Sequence, residues 1–462
     1  MLINKKHSSS FRDPSGFIFY RNNTIYRQIN KSYKDNYDFL INCGLYKTLA
    51  DNRLLIPHLE TEVKYSKSDA AYKTVQPEMI PFISYPYEWC FNQLKDAALT
   101  TLKIQKKSLE FGMSLKDCSA YNIQFKNGKP ILIDTLSFAK YNEGEPWIAY
   151  RQFCQHFLAP LSLMSHNDIR LNQLLRIYID GVPLDLASTL LPFRTHLKFF
   201  LFSHIHLHAR SQKYFADKSI KTDNRKMRLR SFFGIIDSLE SGINKLKWKI
   251  PKTEWVNYYS QTHNYSSDAF KHKKQIVENF LGKIKPKIIW DLGGNVGEFS
   301  RIASDKGIQT ISFDIDPAAV EMNYLDSVRK GEVNILPLMI DITNPSPGIG
   351  WENKERHSLF ERTSADTIMA LALIHHLAIT NNLPLYRIVQ FFNLLSRKFL
   401  IIEFVPKSDS QVQKLISTRA DLFPEYKQQV FEDVFQKYFK INSSKGITDS
   451  KRVLYLMEKR LD

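Results

Sequence analysis

The sequence predicts an α/β protein of two domains, with a doubly wound parallel sheet in the C-terminal domain. Three observations support this prediction. The chain has 462 residues, more than the roughly 250–300 residues at which single hydrophobic cores stop growing. From residue 286 onward, apolar runs of strand length alternate with helical segments, as in sheets whose crossovers are helices. Residues 1–245 instead show short strands and helices followed by mainly helices, so we expect an α+β domain with a helical lobe over 1–245 and the parallel-sheet domain over 246–462.

The composition is that of a folded protein with an anionic partner. Hydrophobic residues make up 43% and charged residues 24% of the chain, which is ordinary for globular domains. The net charge of +17 favours a nucleic acid, an acidic glycan, a phosphorylated small molecule or an anionic membrane surface. The densest basic stretch runs from His208 to Arg230, although a solvated helical face would look the same. No signal peptide and no transmembrane segment are evident, so we expect a cytoplasmic enzyme.

Five apolar runs are predicted to form successive parallel strands. They read KIIWDLGG, TISFDID, VNILPLMID, ADTIMALAL and KFLIIEF. A helix at 409–423 and two further strands, near 438–443 and 452–457, follow them. A turn at Lys445-Gly446 would let the last two strands pair as a hairpin, which predicts one reversed edge strand in the sheet.

The first of these strands ends in a turn rich in glycine. Its candidate binding residues are Asp291, Gly293, Gly294, Asn295 and Gly297. Glycine lets the backbone turn sharply and approach a ligand closely. A dinucleotide fingerprint would need glycine where Asn295 and Glu298 stand, and no Gly-Lys-Ser/Thr follows as in a phosphate-binding loop.

This turn resembles motif I of class I S-adenosylmethionine-dependent methyltransferases, which have a Rossmann-like sheet. The motif has an acidic residue, then Gly, then Gly or Asn, then Gly at alternate positions, and Asp291, Gly293, Asn295 and Gly297 match it. The resemblance implies that the turn surrounds the methionine part of S-adenosylmethionine. It also implies that Asp291 reaches the ammonium group of this cofactor, often through water.

Carboxylates also end the second and third strands. Asp314 ends the second strand, where it can accept hydrogen bonds from both ribose hydroxyls. Asp341 ends the third strand, and the resemblance implies that it contacts the adenine amino group. Asp316 is expected to cap the next helix beside Pro317. Carboxylates after three successive strands, in order behind a glycine-rich turn, predict a cofactor site.

Two histidines, His375 and His376, follow the fourth strand in a region that resembles many class I methyltransferases. A histidine here could deprotonate an acceptor hydroxyl at neutral pH, or it could serve only to pack beneath the sheet. The Asn/Asp-Pro-Pro-Tyr/Phe signature of exocyclic-amine methylation is absent, which argues against a nucleobase amino group as acceptor.

Two further elements are predicted to contact the acceptor. The Pro- and Gly-rich segment from Asn344 to Trp351 is predicted to be an acceptor-binding loop or lid. Glu403 ends the fifth strand, where acceptor contacts are common in this fold.

The N-terminal domain carries a second set of candidate residues. Asp117 and Asn122 share a predicted loop, a hairpin should turn at Asn127-Gly128, and Asp134 ends the second strand of that hairpin. The arrangement resembles the catalytic core of protein-kinase-like and aminoglycoside-phosphotransferase-like enzymes. It implies that Asp117 takes a proton from an acceptor hydroxyl and that Asn122 and Asp134 hold the metal of Mg-ATP. A pseudokinase or scaffold domain is the alternative, since no histidine precedes Asp117 and no obvious phosphate-binding lysine lies on the early strands, where Arg27 or Lys31 could substitute for it.

As a whole, the chain resembles a bacterial family of two-part methyltransferases that includes rhizobial nodulation host-specificity proteins. The resemblance implies methyl transfer, and we expect the acceptor to be a hydroxyl of a glycan or small molecule. Two alternatives remain, a bifunctional kinase-methyltransferase and an RNA methyltransferase that uses the basic surface. The second is less favoured, because no RNP1 or GXXG motif accompanies the basic residues.

Overall fold

The structure, a computed structural model, describes residues 4–65, 69–210, 227–251, 265–417 and 424–460. The chain divides into two compact units, the first comprising Met1–Lys249 and Gly348–His357, the second Ile250–Pro347 and Ser358–Asp462. The short segment Gly348–His357 therefore groups with the first unit, although the sequence analysis includes it in the second domain. Most of the basic stretch, residues 211–226, lies outside the described residues. In the described ranges, no helix has both the length and the apolar character needed to cross a membrane.

The first unit begins with an antiparallel sheet in the spatial order β1-β2-β3-β5-β4. Asn22 and Asn23 connect β2 to β3, and both have positive φ, as short hairpin turns require. Helices α1 and α2 lie between β3 and β4 in the chain. These elements are β1 (Asn4–Lys6), β2 (Gly16–Arg21), β3 (Thr24–Asn30), α1 (Lys34–Asn42), α2 (Leu45–Asp51), β4 (His58–Thr61) and β5 (Ala71–Pro77).

A long helix leads from this sheet to two small strand pairs. The helix buries residues at intervals of three and four, including Leu94, Ala97, Ala98 and Leu102, which is the spacing of one apolar face. Strand β6 pairs with β9, and β7 pairs with β8. The β7–β8 hairpin turns at Asn127-Gly128, so that prediction is confirmed. The elements are α3 (Phe91–Glu110), β6 (Met113–Leu115), β7 (Ile123–Lys126), β8 (Lys129–Leu132) and β9 (Phe138–Lys140).

Helices, most of them short, make up the described part of the region from Tyr150 to Lys245, and the sequence predicts a mainly helical region here. Wider helical turns at Cys154–Leu158 and Phe202–His206 continue two of them. The helices are α4 (Tyr150–Phe153), α5 (Ala159–His166), α6 (Leu174–Ile177), α7 (Leu184–Leu190), α8 (Phe199–Leu201) and α9 (Leu229–Lys245).

The second unit is built on a twisted sheet in the order β12-β11-β10-β13-β14-β16-β15. Strands β10 to β14 are all parallel, so the prediction of a doubly wound sheet is confirmed. The strands are β10 (Ile288–Leu292), β11 (Gln309–Asp314), β12 (Ile335–Met339), β13 (Ala365–Ala370), β14 (Ser396–Phe404), β15 (Phe439–Gly446) and β16 (Val453–Lys459). The helices are α10 (Ser267–Ile284), α11 (Glu298–Ser304), α12 (Pro317–Lys330), α13 (Leu359–Arg362), α14 (Leu385–Leu395), α15 (Ser410–Ile416) and α16 (Gln428–Phe435).

The prediction of a reversed edge strand is wrong in one respect. The hairpin of β15 and β16 forms, but the reversed strand β16 lies between β14 and β15, and β15 is the edge. Four consecutive residues of β16, Leu454 to Met457, are buried, whereas β15 alternates and ends in exposed residues. A strand that is apolar on both faces is stable inside a sheet, and a polar strand is better suited to its edge.

The core of the second unit forms where α10 packs on the sheet. Ile276, Val277 and Phe280 on one face of this helix join Ile289 and Met369 of the central strands in a single buried cluster. Burial of each such side chain contributes roughly 1.5–3 kcal/mol. This packing fixes the central strands and so fixes the loops that follow them.

Candidate cofactor site and acceptor loop

The carboxyl ends of β10, β11 and β12 bring the predicted cofactor residues to one edge of the sheet. In the strand register, Asp291 lies beside Ser312, and Asp314 lies beside Met339. Asp341 is the second residue after Met339, the last residue of β12. The three carboxylates therefore stand on neighbouring strands in the predicted order.

The turn after β10 has a conformation that requires its glycines. Gly293 and Gly297 have φ of +74° and +86°, backbone angles that residues with a Cβ rarely adopt. Gly294 has no such constraint on φ, but a Cβ there would overlap the hydroxyl of Ser312. Asn295 also has positive φ, at +51°, which asparagine tolerates better than most residues. The turn thus needs these glycines for its backbone conformation and for close packing against neighbouring side chains.

Asp314 holds this turn in place. Its Oδ2 accepts a hydrogen bond from the backbone N–H of Asn295 at 2.8 Å, and its Oδ1 accepts one from Asp316 at 2.9 Å. Burial nevertheless raises the pKa of Asp314 to about 6. Since a carboxylate offers about four acceptor positions, Asp314 retains capacity to accept from a ligand hydroxyl. Asp316 accepts a bond from the backbone N–H of Ala318 at 2.8 Å, so its prediction as a helix cap is confirmed.

The other two carboxylates differ in their surroundings. Asp291 is buried, and the hydroxyl of Ser300 donates to its Oδ2 at 2.6 Å. Burial raises the pKa of Asp291 to about 7, so a nearby cation would favour its ionised form. Asp341 is only partly buried and accepts from the backbone N–H and the hydroxyl of Thr343, at 2.8 and 2.6 Å.

The loop after β13 contains both candidate histidines. Its second residue, Ala372, has φ of +49° and donates its N–H to Glu403 Oε2 at 2.8 Å. Non-glycine residues with such φ are found disproportionately at functional sites. The rings of His375 and His376 lie 4.2 Å apart, and Nδ1 of buried His375 has no hydrogen-bond partner among the described residues. Burial lowers the pKa of His375 well below its usual value and that of His376 to about 4, so both are neutral at neutral pH.

A buried charge network beneath this loop was not predicted from the sequence. Lys273 Nζ bonds to Glu403 Oε2 at 2.6 Å, and both side chains are almost fully buried. The hydroxyl of Tyr265 donates to Glu403 Oε1 and accepts from Arg452 Nη1, and Arg452 also pairs with Asp409 at 2.7 Å. Although burial opposes it, the charges of Lys273 and Arg452 hold the pKa of Glu403 below its usual value.

One signal could have revealed part of this network. Lys273 lies on the apolar face of α10, four residues after Ala269 and three before Ile276. A lysine at such a position needs a buried partner. The partner itself could not be named, since Glu403 is 130 residues away in the chain.

In the first unit, the structure brings Asp117 and Asn122 together. Asn122 Nδ2 donates to Asp117 Oδ2 at 3.0 Å, and Gln152 Nε2 donates to Asp117 Oδ1 at 2.8 Å. Burial and the charge of Asp134 raise the pKa of Asp117. Asp134 pairs with Arg27 at 2.7 Å and accepts from the Ser137 hydroxyl at 2.9 Å.

This arrangement does not fit a metal ion without rearrangement. The guanidinium of Arg27 already neutralises the Asp134 carboxylate, and the amide of Asn122 is turned toward Asp117. Across the described parts of the chain, no group of three or more His, Cys, Asp or Glu side chains is placed to hold a metal. A magnesium ion at Asp134 would compete with Arg27 for the same carboxylate.

Part of the predicted acceptor loop between β12 and β13 belongs to the first unit. Glu355 is buried there and pairs with Arg12 at 2.8 Å. The guanidinium of Arg356 lies over the ring of Tyr121, 4.6 Å from its centre. These contacts anchor the second half of the loop within that unit.

The five parallel strands and the glycine-rich turn of the second unit agree with the fold that the resemblance to class I S-adenosylmethionine-dependent methyltransferases implies. No family model matches the chain. The structure of magnesium protoporphyrin IX methyltransferase (ChlM) from Synechocystis PCC 6803 with bound SAH is 15% identical, with a TM-score of 0.32, over 45% of this chain and 93% of that one. N-methyltransferase NodS from Bradyrhizobium japonicum WM9 in complex with S-adenosyl-l-homocysteine is 9% identical, with a TM-score of 0.34, over 45% of this chain and 95% of that one.

A curated relative covers both units. Nodulation protein NoeA of Rhizobium meliloti (strain 1021) is 35% identical over 459 residues, which are 98% of this chain and 96% of the relative. An identity of this size across both units, rather than over the second unit alone, establishes common descent of the whole chain. The chain belongs to the family of the nodulation protein NoeA.

Proposed function

We propose that the protein transfers a methyl group from S-adenosylmethionine to a hydroxyl of a glycan or small-molecule acceptor. The observation that carries the proposal is the ordered series of Asp291, the glycine-rich turn, Asp314 and Asp341 along one edge of the sheet. The cofactor supplies an electrophilic methyl group on a sulfonium centre. The residues present suit it, because the carboxylates offer acceptors for an ammonium group, ribose hydroxyls and an amino group.

The binding roles follow from the surroundings of each carboxylate. Asp291, whose pKa is raised to about 7 by burial, would gain a compensating charge from the ammonium group of the cofactor. Asp314 would hold the ribose and, through Asn295, the conformation of the turn. Asp341 would accept from the adenine amino group while Thr343 fixes its carboxylate.

The acceptor side of the proposal concerns His375 and His376. Both imidazoles are neutral at neutral pH, so either has a lone pair with which to accept a hydrogen bond or proton from a hydroxyl. His376 is partly exposed whereas His375 is buried, so His376 is the more accessible of the two to an acceptor. Glu403 supports the position of both histidines through its bond to Ala372.

For the first unit, we propose a protein-kinase-like fold that does not carry out phosphotransfer. The antiparallel sheet, the long helix α3, the loop of Asp117 and Asn122, and the hairpin before Asp134 follow one another as that resemblance implies. The ion pair of Arg27 with Asp134 supports a role without metal. A bifunctional kinase-methyltransferase is the competing proposal, and the neighbouring Asp117 and Asn122 favour it.

The methyltransferase proposal is tested by calorimetry and by product analysis. We expect the purified chain to bind S-adenosylmethionine, and cell extract incubated with the chain and methyl-labelled cofactor to yield a labelled product. Mass spectrometry of that product would identify the acceptor and the atom methylated. A chain that is folded but binds no S-adenosylmethionine would contradict the proposal, and a labelled RNA or protein would contradict the acceptor class alone.

A further inference from the structure

Three bulky apolar side chains project into water from one short region of the first unit. Phe193, Leu197 and Phe199 are 79%, 81% and 81% exposed. They lie on the helical turn Phe193–Leu197 and at the start of α8, and we call residues 193–199 the apolar turn. Single exposed apolar residues are ordinary on protein surfaces. Several such residues together usually mark a surface that another molecule covers.

The apolar turn is firmly held from its inner side. Thr195 is buried, and its hydroxyl bonds to the carbonyl of Pro192 at 2.7 Å and to His206 Nε2 at 3.0 Å. The Ser188 hydroxyl bonds to the other ring nitrogen of His206 at 2.8 Å, and the ring of His196 stacks on that of His206 at 3.6 Å. The outward direction of the three apolar side chains is therefore a property of an anchored turn.

Two basic residues lie among these apolar side chains. Arg194 and Lys198 alternate with them along the turn, and both are exposed. The chain has no acidic residue between Asp185 and Asp217, although the protein has 47 acidic residues in all. Arg194 contacts the backbone carbonyl of His166 and Lys198 contacts its ring, each at 3.4 Å. Neither of these contacts with described residues provides a negative charge.

We propose that the apolar turn docks the protein onto an anionic membrane surface. Aromatic and aliphatic side chains interleaved with arginine and lysine are the composition of interfacial membrane-binding segments. Phe193, Leu197 and Phe199 would enter the boundary between headgroups and acyl chains, while Arg194 and Lys198 would face the lipid phosphates. A protein partner fits less well, because lysine is depleted from the cores of protein interfaces.

The proposal is tested by sedimentation of the full chain with vesicles. Vesicles of equimolar phosphatidylcholine and phosphatidylglycerol should bind the protein, and vesicles of phosphatidylcholine alone should bind it weakly. The triple variant Phe193→Ser/Leu197→Ser/Phe199→Ser should lose binding to the anionic vesicles. The variant Arg194→Gln/Lys198→Gln should lose about fivefold per charge, from ~1 kcal/mol for each basic residue at an anionic surface.

A matched control replaces exposed apolar residues elsewhere. Leu59, Val328 and Leu394 are 74%, 53% and 67% exposed, and their triple change to serine should leave vesicle binding unaltered. All the variants change exposed side chains, and circular dichroism would verify that each is folded. The proposal would be overturned if the wild type did not bind anionic vesicles, or if the control variant lost as much vesicle binding as the variant of the apolar turn. It would also be overturned if the apolar turn instead mediated self-association or bound another protein.

Discussion

Asp314 connects the glycine-rich turn to the expected cofactor through a single carboxylate. We predict that Asp314→Ala weakens S-adenosylmethionine binding by ~1–3 kcal/mol, or about 5- to 150-fold, because buried partners lose their hydrogen bonds. Calorimetry on the purified variant measures this loss. The control is Asp326→Ala, which removes a carboxylate whose described partner is the exposed Arg329. Equal affinity of Asp314→Ala and the wild type would contradict the assigned role.

The buried carboxyl of Asp291 predicts a pH dependence of stability. Its pKa in the folded protein is raised from 3.8 to about 7, so the folded state holds the proton more tightly than the unfolded state does. This stabilisation is present below about pH 4 and is lost as the pH rises toward 7. Asparagine does not titrate. The free energy of unfolding of Asp291→Asn, relative to that of the wild type, should therefore rise by up to about 4 kcal/mol between about pH 4 and about pH 7, at ~1.4 kcal/mol per pKa unit.

Denaturant unfolding of wild type and Asp291→Asn without cofactor, at about pH 4 and about pH 8, measures this difference. The amide oxygen that the substitution introduces can still accept from the hydroxyl of Ser300, so the packing should be kept. A difference in free energy of unfolding that is the same at both pH values would show that the carboxyl of Asp291 titrates alike in the folded and unfolded states.

Among single residues, Asp291, Asp314 and Asp341 could be predicted from the sequence, because each lies at the end of a strand. A strand end is visible in a sequence as a change from apolar to polar residues. Tyr265 and Arg452 could not be predicted in this way. Their contacts with Glu403 depend on how distant segments pack, and no local pattern records that packing.

Among the elements, α10 and β14 are joined by the buried pair of Lys273 and Glu403. We predict that Glu403→Gln lowers the free energy of unfolding by ~3–5 kcal/mol, because it leaves buried cations without their counter-charge. The adjacent Lys274 offers a control, since its pair with Glu298 is 37% and 38% exposed and Glu298→Gln should cost less than ~1 kcal/mol. Urea unfolding compares the two variants, and similar costs would contradict the prediction.

The same elements show which parts of the fold were predictable. Apolar runs and the turns between them identified β10 to β14, and helical crossovers made those strands parallel. The position of β16 was not predictable from its hairpin, because the hairpin has two edges and either could join β14. Burial of β16 on both faces decides between them, and that burial depends on α16 and the rest of the sheet.

For the molecule as a whole, the open question is whether the first unit uses a nucleotide. We predict no thermal shift with millimolar Mg-ATP, because Arg27 neutralises the carboxylate that would bind the metal. A ligand at 100 times its dissociation constant would raise stability by ~2.7 kcal/mol, which such an assay detects. S-adenosylmethionine serves as the positive control. A shift with Mg-ATP that Asp134→Asn abolishes, while cofactor affinity is kept, would instead establish the bifunctional enzyme.

Because Gly348–His357 belongs to the first unit, the backbone passes between the units after Lys249, after Pro347 and again after His357. A chimera that joins the halves of two relatives at residue 249 would therefore take Arg12 from one parent and Glu355 from the other. Exchange of an intact first unit between relatives needs three junctions, and the small insert must travel with the large N-terminal piece. Each unit thus consists of two separate segments of the chain, and neither unit can be exchanged between relatives as one continuous stretch of sequence.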